Sequence, residues 1–323
     1  MQRALPVPHF HVVFTLPAEL RPLVAHNRER LFTVLFETVA STLLDIARDP
    51  KRLGALVGVT AVLHTWARNL SFHPHPHLHC IVTAGGLAPD GRAWVPSAER
   101  FLLPEKVLSY LFRGRFLAAV AQLYERGDLV LAGGAAPLAD RTAFARLRDV
   151  LYKKEWVVYA KAPFGSPSAL LRYLGQYTHR VAISNHRLLD VGDREVVFRT
   201  RGRQVCRLEP LEFIRRFLQH VLPRGFVKIR HYGLLAAGNI NTKLAAARAD
   251  LEATASTDVA TPSAQPGSDP RVDAEPPSWR DLFRELTGSD LGRCPLCAGP
   301  LVHVPLPPLP SLGGARAPPS GAS

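Results

Sequence analysis

One stretch of the sequence constrains the fold more than any other. It runs from residue 71 to 87, SFHPHPHLHCIVTAGGL, and places four histidines within seven positions ahead of an apolar run and two glycines. Side chains at i and i+2 lie on the same face of a β-strand. His77 and His79 are therefore predicted to share one face, while Leu78 between them packs into a core on the other.

The prolines of this stretch set where the strand is expected to begin. Pro74 and Pro76 cannot donate to a sheet and are typical of the start or the edge of a strand. We therefore expect the regular strand to begin near His77, with His73 and His75 in the loop that approaches it. Because imidazole is the commonest metal ligand, the pair His77 and His79 is a candidate metal site. The alternative is a solvated surface patch.

Two neighbouring segments could complete or compete with that pair. Residues 56–66, LVGVTAVLHTW, form a predicted strand that a short polar link joins to the histidine strand, so the two should be antiparallel neighbours. His64, near the end of this strand, is the favoured third ligand; the alternative is a core histidine bonded to the backbone. His9 and His11 share a face of another predicted strand, HFHVVFTL, and are a competing pair for metal or a DNA-facing edge.

The rest of the chain predicts an α+β fold, with helices flanking a central antiparallel sheet. Apolar periodicity predicts helices at 22–47, 103–126, 140–153, 169–178, 210–221 and 239–252, and strands at 9–16, 56–66, 77–87, 155–160, 181–189 and 195–201. An extended segment is predicted near 222–235. Proline enrichment beyond Ala253 predicts a catalytic domain over 1–252, a flexible linker over 253–278 and a proline-rich tail over 279–323.

Charge and composition narrow the class of partner. Forty Lys and Arg against 27 Asp and Glu give a net charge of +13, which favours a polyanion, nucleic acid first and an anionic membrane surface second. The alternative is a generally solvated, arginine-rich surface. The sequence contains no run of 18 apolar residues and no signal-peptide pattern, so we expect a cytoplasmic protein. Four cysteines do not form a disulfide pattern.

A second candidate site lies in the helix predicted at 169–178. Tyr173 and Tyr177 are four residues apart, which places both hydroxyls on one helix face. A half-buried core pair is the alternative, but beside a metal site a tyrosine hydroxyl can attack a phosphodiester. Gln176 could bind the metal, and His179 and Arg180 could contact phosphate oxygens.

These motifs together resemble a known family. His77-Leu78-His79, the paired tyrosines of YLGQY, and the segments YTHRVAISNHRLL and FIRRFLQHVLPRGFVKIRHYG are similar to those of the two-tyrosine rolling-circle transposases of bacterial insertion sequences. These enzymes belong to the HUH endonuclease superfamily. The resemblance covers roughly residues 6–248, and its motifs are specific as a set although each alone is weak.

The resemblance implies a single-strand DNA endonuclease and strand transferase acting at transposon ends, with the tyrosine helix laid across the sheet. His77 and His79 would bind Mg²⁺ or Mn²⁺, with His64 as the third ligand or Gln176 in its place. Tyr173 and Tyr177 would be the nucleophiles that form a 5′-phosphotyrosine. The candidate DNA contacts are His179, Arg180, Arg215, Arg216, Lys228 and Arg230.

The sequence departs from the family pattern in two places, and it also carries a separate cysteine pair. A cysteine-rich zinc-binding segment usually precedes the PVPHFHVVFTLP-like strand, and here that strand follows Met1 closely, so we expect either a truncated copy or a mis-called start. The histidine stretch carries an extra His-Pro pair. Cys294 and Cys297 form half of a zinc site that would need ligands from elsewhere.

Three rival functions fit parts of the pattern. A plasmid relaxase or replication initiator shares the histidine pair and the tyrosine. A truncated transposase remnant would bind DNA without cutting it. A zinc hydrolase is disfavoured because the sequence has no HExxH motif and no carboxylate placed beside the histidine pair as a general base.

Overall fold

An antiparallel sheet organises the part of the chain that the computed structural model describes, residues 3–66, 69–70, 72–97, 105–164, 183–200 and 202–257. The strands are β1 His9–Thr15, β2 Leu56–Trp66, β3 Phe72–Leu87, β4 Trp94–Pro96, β5 Val158–Phe164, β6 Leu188–Val191, β7 Val196–Arg199, β8 Val205–Leu208 and β9 Ile229–Gly233. The strand order of the central sheet is β5-β1-β3-β2-β9, and β4 pairs with β3; β6, β7 and β8 form a second, smaller sheet.

Helices flank both sheets. They are α1 Arg21–His26, α2 Arg28–Arg48, α3 Glu105–Glu125, α4 Arg141–Lys153, α5 Pro210–Leu218 and α6 Lys243–Thr257, with short 3-10 turns at Ala18–Leu20, Gly133–Ala139, Asn185–Arg187 and Ala237–Asn239. The α+β class and the central antiparallel sheet predicted from the sequence are therefore confirmed. Among the described residues, no helix combines the length and the apolar character that crossing a membrane requires.

One face of the central sheet forms the main hydrophobic core with α2 and α3. Alternate residues of the strands, such as Phe14 and Leu78, are fully buried on this face. The ring of Phe14 meets the edge of Phe112 from α3, with 5.2 Å between ring centroids. Fully burying a side chain of this size stabilises the fold by about 1.5–3 kcal/mol. This packing fixes which face of the sheet remains available for a site.

The histidine strand is longer than predicted. β3 begins at Phe72, so His73 and His75 belong to the strand and not to an approach loop, and the expectation that the strand starts near His77 is wrong. β1 ends where Thr15 pairs with His77, and β3 continues beyond that point paired with β2 as far as Phe72. This extension follows the end of β1, where the Pro76 oxygen still accepts from the backbone N–H of Leu16, and proline is tolerated at the start of a strand.

A second hydrophobic cluster joins the small sheet to α5. Its buried members are Leu70, Val196 and Phe198, and Phe213 and Phe217 of α5 pack against them. The rings of Phe198 and Phe213 meet edge to face at 5.7 Å. Because Leu70 lies between β2 and β3, this cluster anchors the connection between the two strands that carry candidate metal ligands.

Candidate metal centre

The face of the central sheet that turns away from α2 and α3 is rich in histidine. Directly paired residues of antiparallel strands project to the same face, and the pairings place polar residues of four strands together. In the part of the chain that the structure describes, six histidines lie on this face, which we call the histidine face: His9, His11, His64, His77, His79 and His231.

Three of these histidines converge. His64 pairs with His77 across β2 and β3, and His79 lies one row further along β3. One ring nitrogen from each residue lies within 4.8 Å of the others, and Nδ1 of His64 is 3.0 Å from Nε2 of His77. We call His64, His77 and His79 the histidine triad. As the alternation predicted, Leu78 projects to the opposite face and is fully buried.

The spacing of the triad suits a divalent ion. At a metal–ligand distance near 2.1 Å, adjacent ligands in octahedral geometry are about 3.0 Å apart and opposite ligands about 4.2 Å apart. The separation of 3.0 Å between His64 and His77 equals the first distance, and small side-chain rotations would bring the widest separation within range. Three imidazole nitrogens are softer ligands than those that Mg²⁺ usually receives, and the set is compatible with a divalent ion.

Burial keeps one member of the triad in its metal-binding form. The side chain of His79 is buried, and loss of solvation, followed by the nearby His77 and His11, lowers the pKa of His79 to about 3. His79 is therefore neutral near pH 7, and neutral imidazole is the form that binds metal ions. His64 and His77 are only partly buried, so the triad opens towards solvent on their side.

His11 joins this centre, which the sequence did not predict. From the sequence, His11 is predicted only as one member of a competing pair with His9. In the structure Nε2 of His11 lies 2.9 Å from Nδ1 of His79, and the two rings stack with 8° between their planes. The alternation in His9-Phe10-His11 correctly indicated that both histidines lie on the same face of a strand. The missing information was that β1 pairs with β3, which depends on contacts distant in sequence.

The predicted DNA-contacting arginines are engaged within the fold. Arg215 and Arg216 of α5 both bond Glu212, with contacts of 2.5 and 2.7 Å, and these hydrogen bonds lower the pKa of Glu212 to about 2. Arg216 also donates to the backbone oxygen of Asn69, between β2 and β3. α5 is thus tied to the strand connection beside the triad.

Two cations near β9 have surroundings of a different kind. The guanidinium of Arg230 stacks on Phe36 at 4.5 Å and on Phe226 at 5.2 Å. Since Phe36 belongs to α2, Arg230 lies on the helix side of the sheet, and the structure does not bring it to the triad. Lys228 is half-buried, and burial lowers its pKa to about 8.

The other predicted site residues fall outside the described residues. These are Tyr173, Gln176, Tyr177, His179, Arg180, Cys294 and Cys297. Their roles stay predictions, as does the choice of Gln176 as an alternative metal ligand.

The fold and the site together define a class. An antiparallel sheet, flanked by helices, that carries a His-hydrophobe-His strand with a third histidine on the adjacent strand is an HUH-endonuclease-like fold. Residues 58–243 match the family model Y2_Tnp, described as "Putative transposase". The chain belongs to this Y2 family of rolling-circle insertion-sequence transposases, as its motifs predicted.

Two relatives support the same conclusion. The chain is 44% identical over 295 residues to "Putative transposase y4qJ" of Sinorhizobium fredii (strain NBRC 101917 / NGR234). This alignment covers 90% of this chain and 71% of the relative. The chain is 28% identical over 316 residues to "Transposase for insertion sequence element IS801" of Pseudomonas savastanoi pv. phaseolicola, covering 92% and 67%. The protein is thus a transposase, and the substrate class is DNA.

Proposed function

We propose that this transposase cuts and rejoins single-stranded DNA at transposon ends through a phosphotyrosine intermediate. Tyr173 and Tyr177 are the nucleophiles, and the histidine triad holds Mg²⁺ or Mn²⁺. The observation that carries the proposal is the convergence of His64, His77 and His79 on the histidine face of the sheet. Family membership supplies its context.

The proposed reaction conserves the energy of the bond that it breaks. The phenolic oxygen of one tyrosine attacks the scissile phosphorus, a Tyr O–P bond forms, and the bond from phosphorus to the 3′ oxygen breaks. The tyrosine loses its proton, and the departing 3′ oxygen gains one. A bound divalent ion supplies Lewis-acid stabilisation of the developing phosphate charge. Attack by another 3′-hydroxyl reverses these steps, so rejoining needs no ATP, and a second tyrosine permits two successive cuts.

The triad has the chemical character that this role needs. Its members would bind the ion through neutral nitrogens, so the centre would keep its positive charge for the phosphate. His64 and His77 are partly exposed, so water or a phosphate oxygen could reach an ion that the triad would hold. Fully buried Leu78, on the opposite face, holds the intervening backbone against the core. The triad therefore stands on two paired strands, and two of its members are partly exposed.

An exposed tyrosine on the histidine face is a candidate contact for the DNA strand. Tyr159 of β5 pairs with Val13 of β1, and Val13 pairs with His79, so all three lie in one row on the histidine face. Two strand spacings separate Tyr159 from His79, about 10 Å between Cα atoms. Tyr159 is 52% exposed, and unpaired bases stack on such rings. We propose that a base next to the scissile phosphate stacks on Tyr159.

A covalent-adduct assay tests the nucleophiles. The full chain is mixed with an end-labelled single-stranded oligonucleotide and Mn²⁺, and DNA that stays attached in denaturing gels is counted. Replacing both Tyr173 and Tyr177 with phenylalanine should abolish the adduct. The matched control is Tyr110→Phe, because Tyr110 is exposed on α3, on the other side of the sheet. An adduct that survives the double substitution rejects these nucleophiles.

A second arm separates cutting from binding. His77→Ala should abolish cleavage while salt-dependent DNA binding persists, because lysine and arginine contacts to phosphate supply most of that affinity. Equal loss of cleavage and binding would show that the histidines are structural. DNA binding by the wild-type chain without any adduct would instead support the non-catalytic remnant.

Three other expectations remain predictions. They are the cytoplasmic location, the domain limits at 252 and 278, and zinc binding at Cys294 and Cys297.

A further inference from the structure

We infer that His11 is a positioning residue that fixes the proton and the orientation of the His79 ring, so that Nε2 of His79 is presented to the divalent ion. The inference rests on the proposed metal role of the triad. It goes beyond that role because it assigns a function to a histidine of another strand, β1, which the His-hydrophobe-His motif does not include.

The contact between the two rings is specific. Nε2 of His11 lies 2.9 Å from Nδ1 of His79, and the rings are parallel within 8° with centroids 5.2 Å apart. The register explains the approach, because His11 pairs with Ile81 while Val13 pairs with His79. His11 and His79 are thus diagonal neighbours on one face, a separation that large rings can bridge.

Burial makes the contact consequential. His11 is 7% exposed and His79 is 8% exposed. A buried polar nitrogen that loses its hydrogen-bond partner costs free energy, because water does not readily replace that partner. The bond to His11 therefore restrains the His79 ring more strongly than a solvent-exposed contact of equal length would.

The chemistry of metal binding determines the direction of the hydrogen bond. A neutral imidazole that binds metal through one nitrogen carries its proton on the other. Since Nδ1 of His79 faces His11, Nε2 of His79 is the metal-binding atom and its Nδ1–H donates to Nε2 of His11. His11 then carries its own proton on Nδ1. Hydrogen-bond acceptors behind metal-binding histidines fix the tautomer and raise the basicity of the ligand.

Removal of the acceptor should weaken metal binding without removing a ligand. In His11→Phe, a ring still fills the space, but Nδ1–H of His79 has no acceptor there, and the ring can turn or change tautomer. Loss of such partners typically reduces metal affinity roughly 10- to 100-fold. His11→Gln keeps an acceptor oxygen in the same place and should retain affinity close to that of the wild type.

The test measures Mn²⁺ binding to the full chain in the absence of DNA. Electron paramagnetic resonance of free Mn²⁺ gives the dissociation constant, and nitrogen hyperfine couplings give the number of bound imidazoles. The expected result is a roughly 10- to 100-fold weaker dissociation constant for His11→Phe, near-normal affinity for His11→Gln, and three coupled nitrogens in each. The control is His231→Phe, because His231 lies on the same face but bonds Thr60.

Each contrary outcome has a distinct meaning. Wild-type affinity in His11→Phe overturns the inference. One fewer coupled nitrogen in both His11 variants also overturns it, because His11 would then be a ligand. No Mn²⁺ binding by the wild type would refute the metal role under "Proposed function". If His11→Phe does not fold, His11→Leu replaces it, and ¹⁵N spectra of His79 should show a single Nδ1–H tautomer in the wild type and His11→Gln only.

Discussion

Alanine substitutions at Leu78 and His77 should separate stability from metal binding, although the two residues are adjacent in sequence. Leu78 is fully buried between Phe14 and Leu63 of the neighbouring strands. Leu→Ala substitutions in such cores cost about 2.7–5.0 kcal/mol. For a domain of this size, 1 kcal/mol corresponds to roughly 2–4 °C in melting temperature. Leu78→Ala should therefore lower the metal-free melting temperature by roughly 5–20 °C.

His77→Ala should leave metal-free stability nearly unchanged, since His77 is partly exposed and lies outside the core. Its effect should appear when Mn²⁺ is added. At a concentration 100 times the dissociation constant, ligand binding stabilises the folded state by about 2.7 kcal/mol. This corresponds to a rise of roughly 5–10 °C in the wild type. His77→Ala should lose this rise, and Leu78→Ala should keep it.

Differential scanning fluorimetry with and without Mn²⁺ measures both quantities on the same samples. His231→Ala serves as the control, because it removes a histidine from the same face without touching the triad. The reasoning fails if Leu78→Ala and His77→Ala lose the Mn²⁺ response equally. That result would mean that packing on one face of β3 and Mn²⁺ binding on the other are not independent.

Three further predictions concern other positions. Burial lowers the pKa of His9 to about 4, below its unfolded value near 6.5, so the unfolded state binds the proton first as the pH is lowered. The free energy of unfolding should therefore fall by up to about 1.4 kcal/mol for each pH unit lowered from 6.5 to 4. Urea titrations with chelator should show a weaker pH dependence of this free energy for His9→Asn, and an equal pH dependence would contradict the prediction. Tyr159→Ala should weaken oligonucleotide binding by about 1–3 kcal/mol in fluorescence anisotropy while Tyr159→Phe does not; equal losses would exclude stacking. Gly233→Ala should unfold at a lower temperature than the wild type, because φ is +61° and a Cβ would lie 2.0 Å from the Val57 oxygen; an unchanged melting temperature would disprove this.

The parts of the site that follow from local pattern were predictable from the sequence. Alternation alone placed His77 and His79 opposite Leu78, and the short link between two strands placed His64 beside them. His11 required knowledge that β1 lies next to β3, a pairing 68 residues apart at the His11–His79 contact. The stacking of Arg230 on Phe36 and Phe226 could not be predicted from the sequence either. When the neighbours of a basic residue in a basic segment are unknown, a DNA contact is the favoured interpretation.

The end of β1 explains why the triad combines rigidity with access. β1 stops where Thr15 pairs with His77, whereas His79 lies one row further inside, where β3 has partners on both sides. His79 is consequently buried and held by His11, while His77 and His64 stand at the rim of the three-strand region. The triad, built across this step, therefore has one buried histidine and two partly exposed ones. We expect that lengthening β1 beyond Thr15 would cover this rim and reduce the exposure of His77 and His64.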